Sequence, residues 1–406
     1  MTTAGTRLLF DLRDPALQDD RYGYYKRVRD VEPVHRSPLG YWVVTGYEEC
    51  DTVLRSPGVS TDFTDDPQWA RVRGGPDSPV VASARRWMLT RGGGDHRRLR
   101  RMVSRALSPA AMARLRPRIR TLVNEMIDAM GEGEADLISG LALPLPVVVV
   151  CELVGIPLAD ADRCRQWTNT IADVVDPMVT PRMRRRMNEA VPEFSAYIAE
   201  RLAERRAEPR DDLLSILLEP DARGDRLSDE DIAAQILVLF NAGHETSVNV
   251  IGNGMVSLLQ NPDQLRLLRE HPELVERSFD ELSRHNSAVQ IMARQTVAPV
   301  QVGGVTIPAG ASVFIVLGAA HHDPAKYPDP ERFDVTRTGT SPLIFGSGPH
   351  YCIAATLGRM EVVIAFEELL RRYSSIELAT TELPWYSHFT FLLGLRSLPL
   401  RLTYAR

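Results

Sequence analysis

Residues 229–261, DEDIAAQILVLFNAGHETSVNVIGNGMVSLLQN, constrain the fold more than any other stretch. Apolar residues recur at helical spacing through the whole segment. Ser228 offers an N-cap, and Asn261-Pro262 a stop. The apolar set runs nearly all round the helix, so the helix must be buried and the rest of the chain must pack about it. Midway, Asn241, His244, Glu245 and Thr246 interrupt the apolar run, and Gly243 weakens it. A carboxyl and a hydroxyl inside a core cost free energy unless they are paired. Polar groups there mark a functional segment. Helical periodicity puts Val238, Asn241, Ala242, Glu245 and Thr246 on one face.

The surroundings read as mostly helical. Amphipathic patterns fill 121–235, where the three Pro of 167–194 read as interrupting helices, either in a mobile lid or in an ordinary surface pair. Residues 61–94 are rich in breakers and read as an irregular substrate entrance. A helix follows with Asp95 as N-cap, and His96 and Arg100 share one of its faces. Between Arg97 and Arg120 stand nine Arg and no acidic residue, a solvated face or a docking patch for an acidic redox partner. Alternating and turn-punctuated segments near 30–60 and 295–320, with the C-terminal strands, supply the β part. No Gly/Ser/Pro-rich linker divides the 406 residues. The expected fold is therefore one unit over 1–406, mainly α with a minor antiparallel β part.

Net charge is −5, which excludes general nucleic-acid binding. The first residues hold no apolar run suited to a signal peptide or anchor, and 143–157 is apolar but short and Pro-broken. Cys50, Cys151, Cys164 and Cys352 form no CxxC pair and fit no zinc spacing. A cytoplasmic, monomeric protein with no membrane anchor is the simplest expectation. Cys50, Cys151 and Cys164 read as small buried hydrophobes.

Cys352 differs. It lies in FGSGPHYCIAA, 345–355, between a Gly-rich turn and a helix-forming run. Helix N-terminal amides and the dipole stabilise a thiolate there, and the glycines let backbone amides approach the sulfur. A nucleophilic Cys would want an adjacent base, for which His350 is poorly placed in a tight loop. The segment does not match the G-x-S-x-G elbow. What it suits is presenting a thiolate to a large flat cofactor.

On these residues the chain resembles the bacterial cytochromes P-450, haem-thiolate monooxygenases, over essentially its whole length. FGSGPHYCIAA matches the family's Phe-x-x-Gly-x-x-x-Cys loop, with Phe345 and Cys352 in place. AGHET, 242–246, matches the oxygen-activation segment, and Glu281-x-x-Arg284 with Arg332 of PERF matches the bracing set. His96, Arg100, Arg294 and His350 match the positions that hold haem propionates. Ser283 and Ala288 depart from the common Leu and Pro, and Ala354 replaces a common Gly. His321 and His322 stand where Asn-Arg is usual and read as structural or surface histidines.

The resemblance implies haem b with Cys352 as iron ligand and Ala242 against the ring, and electrons from NAD(P)H through a ferredoxin and its reductase. The thiolate favours O–O cleavage. Glu245 and Thr246 would relay protons, and local unwinding at Ala242-Gly243 would make room for dioxygen. Val238, Asn241, Val289, Met292 and one of Thr390, Phe391 or Leu392 are expected to line a mostly apolar pocket. That suits a hydrophobic small molecule, hydroxylated or epoxidised in polyketide, macrolide or terpenoid tailoring. A run of Arg at 182 and 184–186 reads as a solvated face or an attraction for a carboxylate substrate. A peroxide-using fatty-acid hydroxylase and a non-enzymatic haem sensor are the alternatives.

Overall fold

The computed structural model describes residues 9–176, 178–339, 341–385 and 391–405. Its axis is the helix Asp229–Gln260, and Ser228 caps it as expected by accepting from the Asp231 amide at 3.1 Å. This central helix joins two hydrophobic cores. Its first half, through Phe240, packs with helices Pro144–Val154, Ala161–Ala172 and Pro181–Ala207. Its second half, from Val248, packs with Pro109–Met130, Val275–His285 and Ala355–Arg372.

The β part flanks the helices. A five-stranded sheet runs in the order Val34–Arg36, Trp42–Val44, Ser312–Ile315, Met292–Thr296, Val59–Ser60. Its Trp42–Val44 and Ser312–Ile315 strands pair in parallel, so the β part is mixed rather than wholly antiparallel. A second sheet joins the expected C-terminal strands Tyr373–Leu378 and Pro399–Tyr404 to Gly133–Asp136. That last strand, GEAD, has no β-branched or aromatic residue and gave no strand signal.

Three local expectations are corrected. The 61–94 segment contains helices Pro67–Val72 and Pro79–Ala84, each with Pro at its first position, where a missing N–H costs nothing. Asp95 sits inside the first turn of Gly93–Ser104, whose N-cap is Gly92, and it pairs with Arg91 at 3.2 Å. Pro192 does not interrupt its helix, which runs unbroken from Pro181 to Ala207. Among the described residues, no helix is long and apolar enough to cross a membrane.

Candidate active site

The Cys352 loop is built by backbone contacts. The turn Leu343–Phe345 ends on Gly346, at φ +70°, and Gly348 follows at φ +71°. A Cβ on Gly348 would meet the Leu54 carbonyl at 2.6 Å, so only glycine fits there. The Cys352 amide donates to the Phe345 carbonyl at 2.8 Å, closing the loop. The Phe345 ring stacks on Phe279, centroids 5.7 Å apart and planes 7° apart. Cys352 is half-buried just before the helix Ala355–Arg372. Burial pushes its thiol up, and a hydrogen bond from the Ala354 amide opposes the rise.

Above the sulfur lies a cavity of about 270 Å³, lined mainly by apolar side chains. Ala242 and Thr246 of the central helix face Cys352 across it, with Val238, Val289 and Met292 on the walls. Met88 and Leu89 close one side, so part of the 61–90 segment does reach the cavity.

Basic side chains gather at one edge. His96 and His350 stack with centroids 4.0 Å apart, and Arg100 lines the cavity beside them. Arg294, 8% exposed, lies outside the lining but near enough to repel charge on His350, and among the described residues its hydrogen-bonded partner is the Ala293 carbonyl at 2.8 Å. Burial lowers His350 to about 3, with His96, Arg294 and Arg100 adding repulsion, and burial lowers Arg294 to about 10. Among the described residues none of the four has a carboxylate within ion-pair distance. Folded chains rarely bury such a cluster without an anion. A planar apolar cofactor carrying two carboxylates fits: its acids against these four groups, its plate between Ala242 and the Cys352 loop, and Cys352 as the soft ligand suited to iron.

The polar middle of the central helix divides between two faces. Asn241 donates to the Thr168 carbonyl at 3.2 Å, and His244 bonds the Phe240 carbonyl at 2.7 Å and Asn169 Oδ1 at 2.8 Å. Both residues anchor the helix Ala161–Ala172, and Asn241 does not line the cavity. Glu245 is also outside the lining. Burial pushes its carboxyl up, and the charge of Asp173 adds to this. Thr246 and Ser247 turn the other way, into the cavity. The helix stays α-helical through Ala242-Gly243, so the expected unwinding is not found; Thr246 Oγ1 donates to the Ala242 carbonyl at 3.0 Å instead. Gly243 serves packing, since a Cβ there would meet Val150 at 3.0 Å.

Three further expectations change. Phe391 packs edge-on against Phe314, 6.0 Å away, in the core of the N-terminal helices, and lies outside the cavity lining. Leu392 pairs with Val289 through the backbone, and Thr390 lies outside the described residues. Glu281 and Arg284 form a fully buried bidentate pair at 2.7 and 2.8 Å. The expected third member, Arg332, has its side chain 63% exposed and among the described residues reaches only Asp334, at 3.6 Å. The turn Asp329–Arg332 carries that side chain to the surface. The chain then returns Arg337 to the pair, 3.3 Å from Glu281.

The basic run Arg97–Arg120 is largely consumed inside the molecule. Arg101 pairs with Asp221 at 2.6 Å and with Asp225, Arg118 with Glu152 at 2.8 Å, and Arg120 with Glu367 at 2.6 Å and with Glu368. Arg98 and Arg105 donate to the Arg226 and Glu219 carbonyls. Those acids come from distant segments, so their pairing could not be read from the run itself.

Sequence reasoning missed Glu361, which lines the cavity and is 1% exposed. Ser247 Oγ donates to its Oε2 at 2.8 Å. Burial pushes the carboxyl up to about 8. Its place among apolar residues of the helix Ala355–Arg372 was the available signal.

The family model "Cytochrome P450" matches residues 163–403. The chain is 38% identical over 407 residues to cytochrome P450 107B1 of Saccharopolyspora erythraea, covering 96% of each. It superposes at TM-score 0.89 and 31% identity on P450BioI in complex with hexadec-9Z-enoic acid ligated acyl carrier protein, covering 96% of this chain and 100% of that one. The P450 PksS of the Bacillus subtilis 168 bacillaene polyketide synthase superposes at TM-score 0.86 and 32% identity, covering 97% and 100%. With the cysteine loop, the basic edge and the central helix already in register, these matches establish that the chain belongs to the cytochrome P450 family, the haem b monooxygenases that draw electrons from NAD(P)H through redox partners.

Proposed function

We propose that this P450 oxidises a hydrophobic acyl or polyketide-type molecule, by hydroxylation or epoxidation, in secondary-metabolite tailoring, with all 406 residues acting as one haem-binding unit. The observation that carries this reading is Cys352 on the floor of an apolar cavity with the basic side chains His96, Arg100, Arg294 and His350 gathered at one edge and no carboxylate paired to them among the described residues. The two solved relatives, one with a fatty-acyl carrier protein and one from a polyketide synthase, support an extended apolar substrate. When bound, the haem supplies the dioxygen activation that inserts one oxygen atom.

The chain's own residues supply the rest. Cys352 would hold the iron; Arg100 and Arg294 would neutralise the propionates, with His96 and His350 as hydrogen-bond donors to them. Val238, Val289 and Met292 exclude water and orient the substrate. Thr246 holds a hydroxyl at the cavity face, and Glu245, whose carboxyl burial and then Asp173 push up, supplies protons from the side of the 161–172 helix. A cytoplasmic ferredoxin and its reductase deliver electrons to a monomer.

The test is the reduced carbon-monoxide difference spectrum together with a hydrophobic-compound screen read by the low-spin to high-spin Soret shift. A thiolate-type band lost in Cys352→Ala, and spin shifts with long-chain acyl or macrolide-like compounds, are expected. A thiolate band that survives Cys352→Ala overturns the ligand assignment. Shifts confined to small polar compounds overturn the substrate class.

A further inference from the structure

The paired histidines of AAHHDP, which no part of the site so far uses, have a definite place. His321 is 0% exposed, and its Nε2 accepts the Leu343 amide at 2.8 Å. Leu343 opens the turn that leads into the cysteine loop, and Pro342 before it has no N–H to share. The first amide of a turn has no partner within the turn and needs an acceptor from elsewhere. His321 supplies it from 22 residues away. Accepting at Nε2 fixes the ring proton on Nδ1, which has no hydrogen-bond partner among the described residues. The polar cost of that buried N–H argues that the Nε2 contact is what keeps histidine here.

The other end of the residue is held as firmly. The His321 carbonyl accepts from Arg284 Nη1 at 2.8 Å, and Arg284 is locked to Glu281. The connection then runs without a gap. It goes from the Glu281–Arg284 pair to the His321 backbone, from the His321 ring to the Leu343 amide, through Leu343–Phe345, and from the Phe345 carbonyl to the Cys352 amide at 2.8 Å. His322 takes a separate part, stacking on Tyr22 at 4.1 Å and bonding the His285 carbonyl at 2.9 Å, which clasps the N-terminal helix Arg21–Val31.

We propose that His321 is a positioning residue for the cysteine loop, transmitting the fixed geometry of the buried Glu281–Arg284 pair to the Cys352 sulfur through the Leu343 amide. The proposal rests on the haem-thiolate reading for its consequence but not for its contact.

Three variants and one exchange measurement test it. His321→Leu keeps bulk and removes the acceptor, His321→Ala removes both, and His321→Gln places an amide oxygen near the former Nε2. In the wild-type holoprotein, hydrogen–deuterium exchange at the Leu343 amide is expected to be strongly protected. In His321→Leu and His321→Ala it should quicken at least about tenfold, the scale of one lost buried hydrogen bond. In the same two variants the reduced carbon-monoxide spectrum should move from the thiolate-ligated toward the neutral-thiol form. His321→Gln should restore both readouts. An unprotected Leu343 amide in the wild type overturns the proposal without any variant. So does His321→Leu with wild-type exchange and spectrum, since bulk alone would then suffice, or His321→Gln failing as His321→Leu does. A wild type without a thiolate band would sink the haem-thiolate reading, while the exchange result would still decide the contact.

Discussion

Arg337 stands 3.3 Å from Glu281 and completes a buried group around Arg284 in which every nitrogen of the Arg284 guanidinium has an acceptor. Glu281 also accepts the Asp334 amide at 2.9 Å, so one carboxylate ties together the helix Val275–His285 and the irregular stretch before the cysteine loop. Removing one partner of a buried pair strands the other charge. Arg284→Ala should therefore lower stability by about 3–5 kcal/mol. Arg337→Ala should cost about 1–3 kcal/mol for the hydrogen bonds it loses. Arg332→Ala should stay within about 0.5 kcal/mol of wild type, as surface changes do. Urea denaturation of the three variants checks the order, and a larger loss for Arg332→Ala than for Arg337→Ala would reverse the assignment.

Stability should peak near neutral pH for two opposed reasons. Glu361 rises from 4.5 to about 8 on folding through burial. Its contribution is complete below the unfolded value and is lost as pH climbs toward the folded one, because the unfolded chain releases the proton first. His285 is lowered to about 4, chiefly by burial with His322 and Arg284 repelling its charge, and burial holds His321 well below 6.5. Their contribution is complete above 6.5 and is lost as pH falls, because the unfolded chain takes up protons first. Urea midpoints should drop on both sides. On the alkaline side the slope should be on the order of 1 kcal/mol per pH unit between pH 6.5 and 8. Glu361→Gln should flatten the alkaline limb and, because Glu361 already lowers stability as pH rises above 4.5, steepen the acid limb between pH 4.5 and 6.5. An unchanged alkaline slope in that variant would remove Glu361 as its source.

The parts legible in the sequence are those fixed by local pattern. Ser228, the long apolar period and Asn261 gave the central helix to within a residue. The glycines around Cys352 gave its loop, and the spacing of His96 to Arg100 gave their shared face. What could not be read depends on partners distant in the chain. Asn241 sits at the right period to face Cys352, yet Thr168 takes its amide. Phe391 looks like a pocket residue until Phe314 supplies a better apolar contact. The arginines of 97–120 read as free charge because most of the acids that meet them stand more than thirty residues away. Arg332 and Arg337 are equally charged and five residues apart, and only the turn at Asp329–Arg332 decides which one returns to Glu281.

Thr246 and Glu245 are adjacent in sequence and turn to different sides of the central helix, so their substitutions should separate. Thr246→Ala removes the hydroxyl at the cavity face and leaves the cysteine loop untouched. The carbon-monoxide spectrum should stay thiolate-type. Product formed per NAD(P)H should fall by up to about a hundredfold, the low end of what a positioned proton donor supplies, with the missing electrons appearing as hydrogen peroxide or water. Glu245→Gln should slow turnover more than it changes that ratio, since it limits supply rather than delivery. Measuring NAD(P)H, product and peroxide together distinguishes the two. Equal product yield in Thr246→Ala would end the assignment of Thr246 as the delivering group.

Gly348 offers the sharpest test of the loop because two independent constraints meet on it. Its φ of +71° is unfavourable for any residue with a Cβ, and the space where a Cβ would go is occupied by the Leu54 carbonyl at 2.6 Å and the Arg55 Cα at 3.0 Å. Those atoms belong to the end of the helix Tyr47–Arg55, which is backbone and cannot step aside as a flexible side chain would. Left-handed strain alone costs about 1–3 kcal/mol, and the clash adds a shift of the loop away from Leu54. Because Phe345 and Cys352 are joined across this turn by a 2.8 Å hydrogen bond, the shift must be passed to the sulfur. Gly348→Ala should therefore reduce haem retention and raise the neutral-thiol form in the carbon-monoxide spectrum. Gly304→Ala, at φ +79° with nothing within 4 Å of the added Cβ, should cost only the strain and leave the spectrum unchanged. If both variants lose thiolate ligation equally, general destabilisation explains the effect and the Leu54 contact does not.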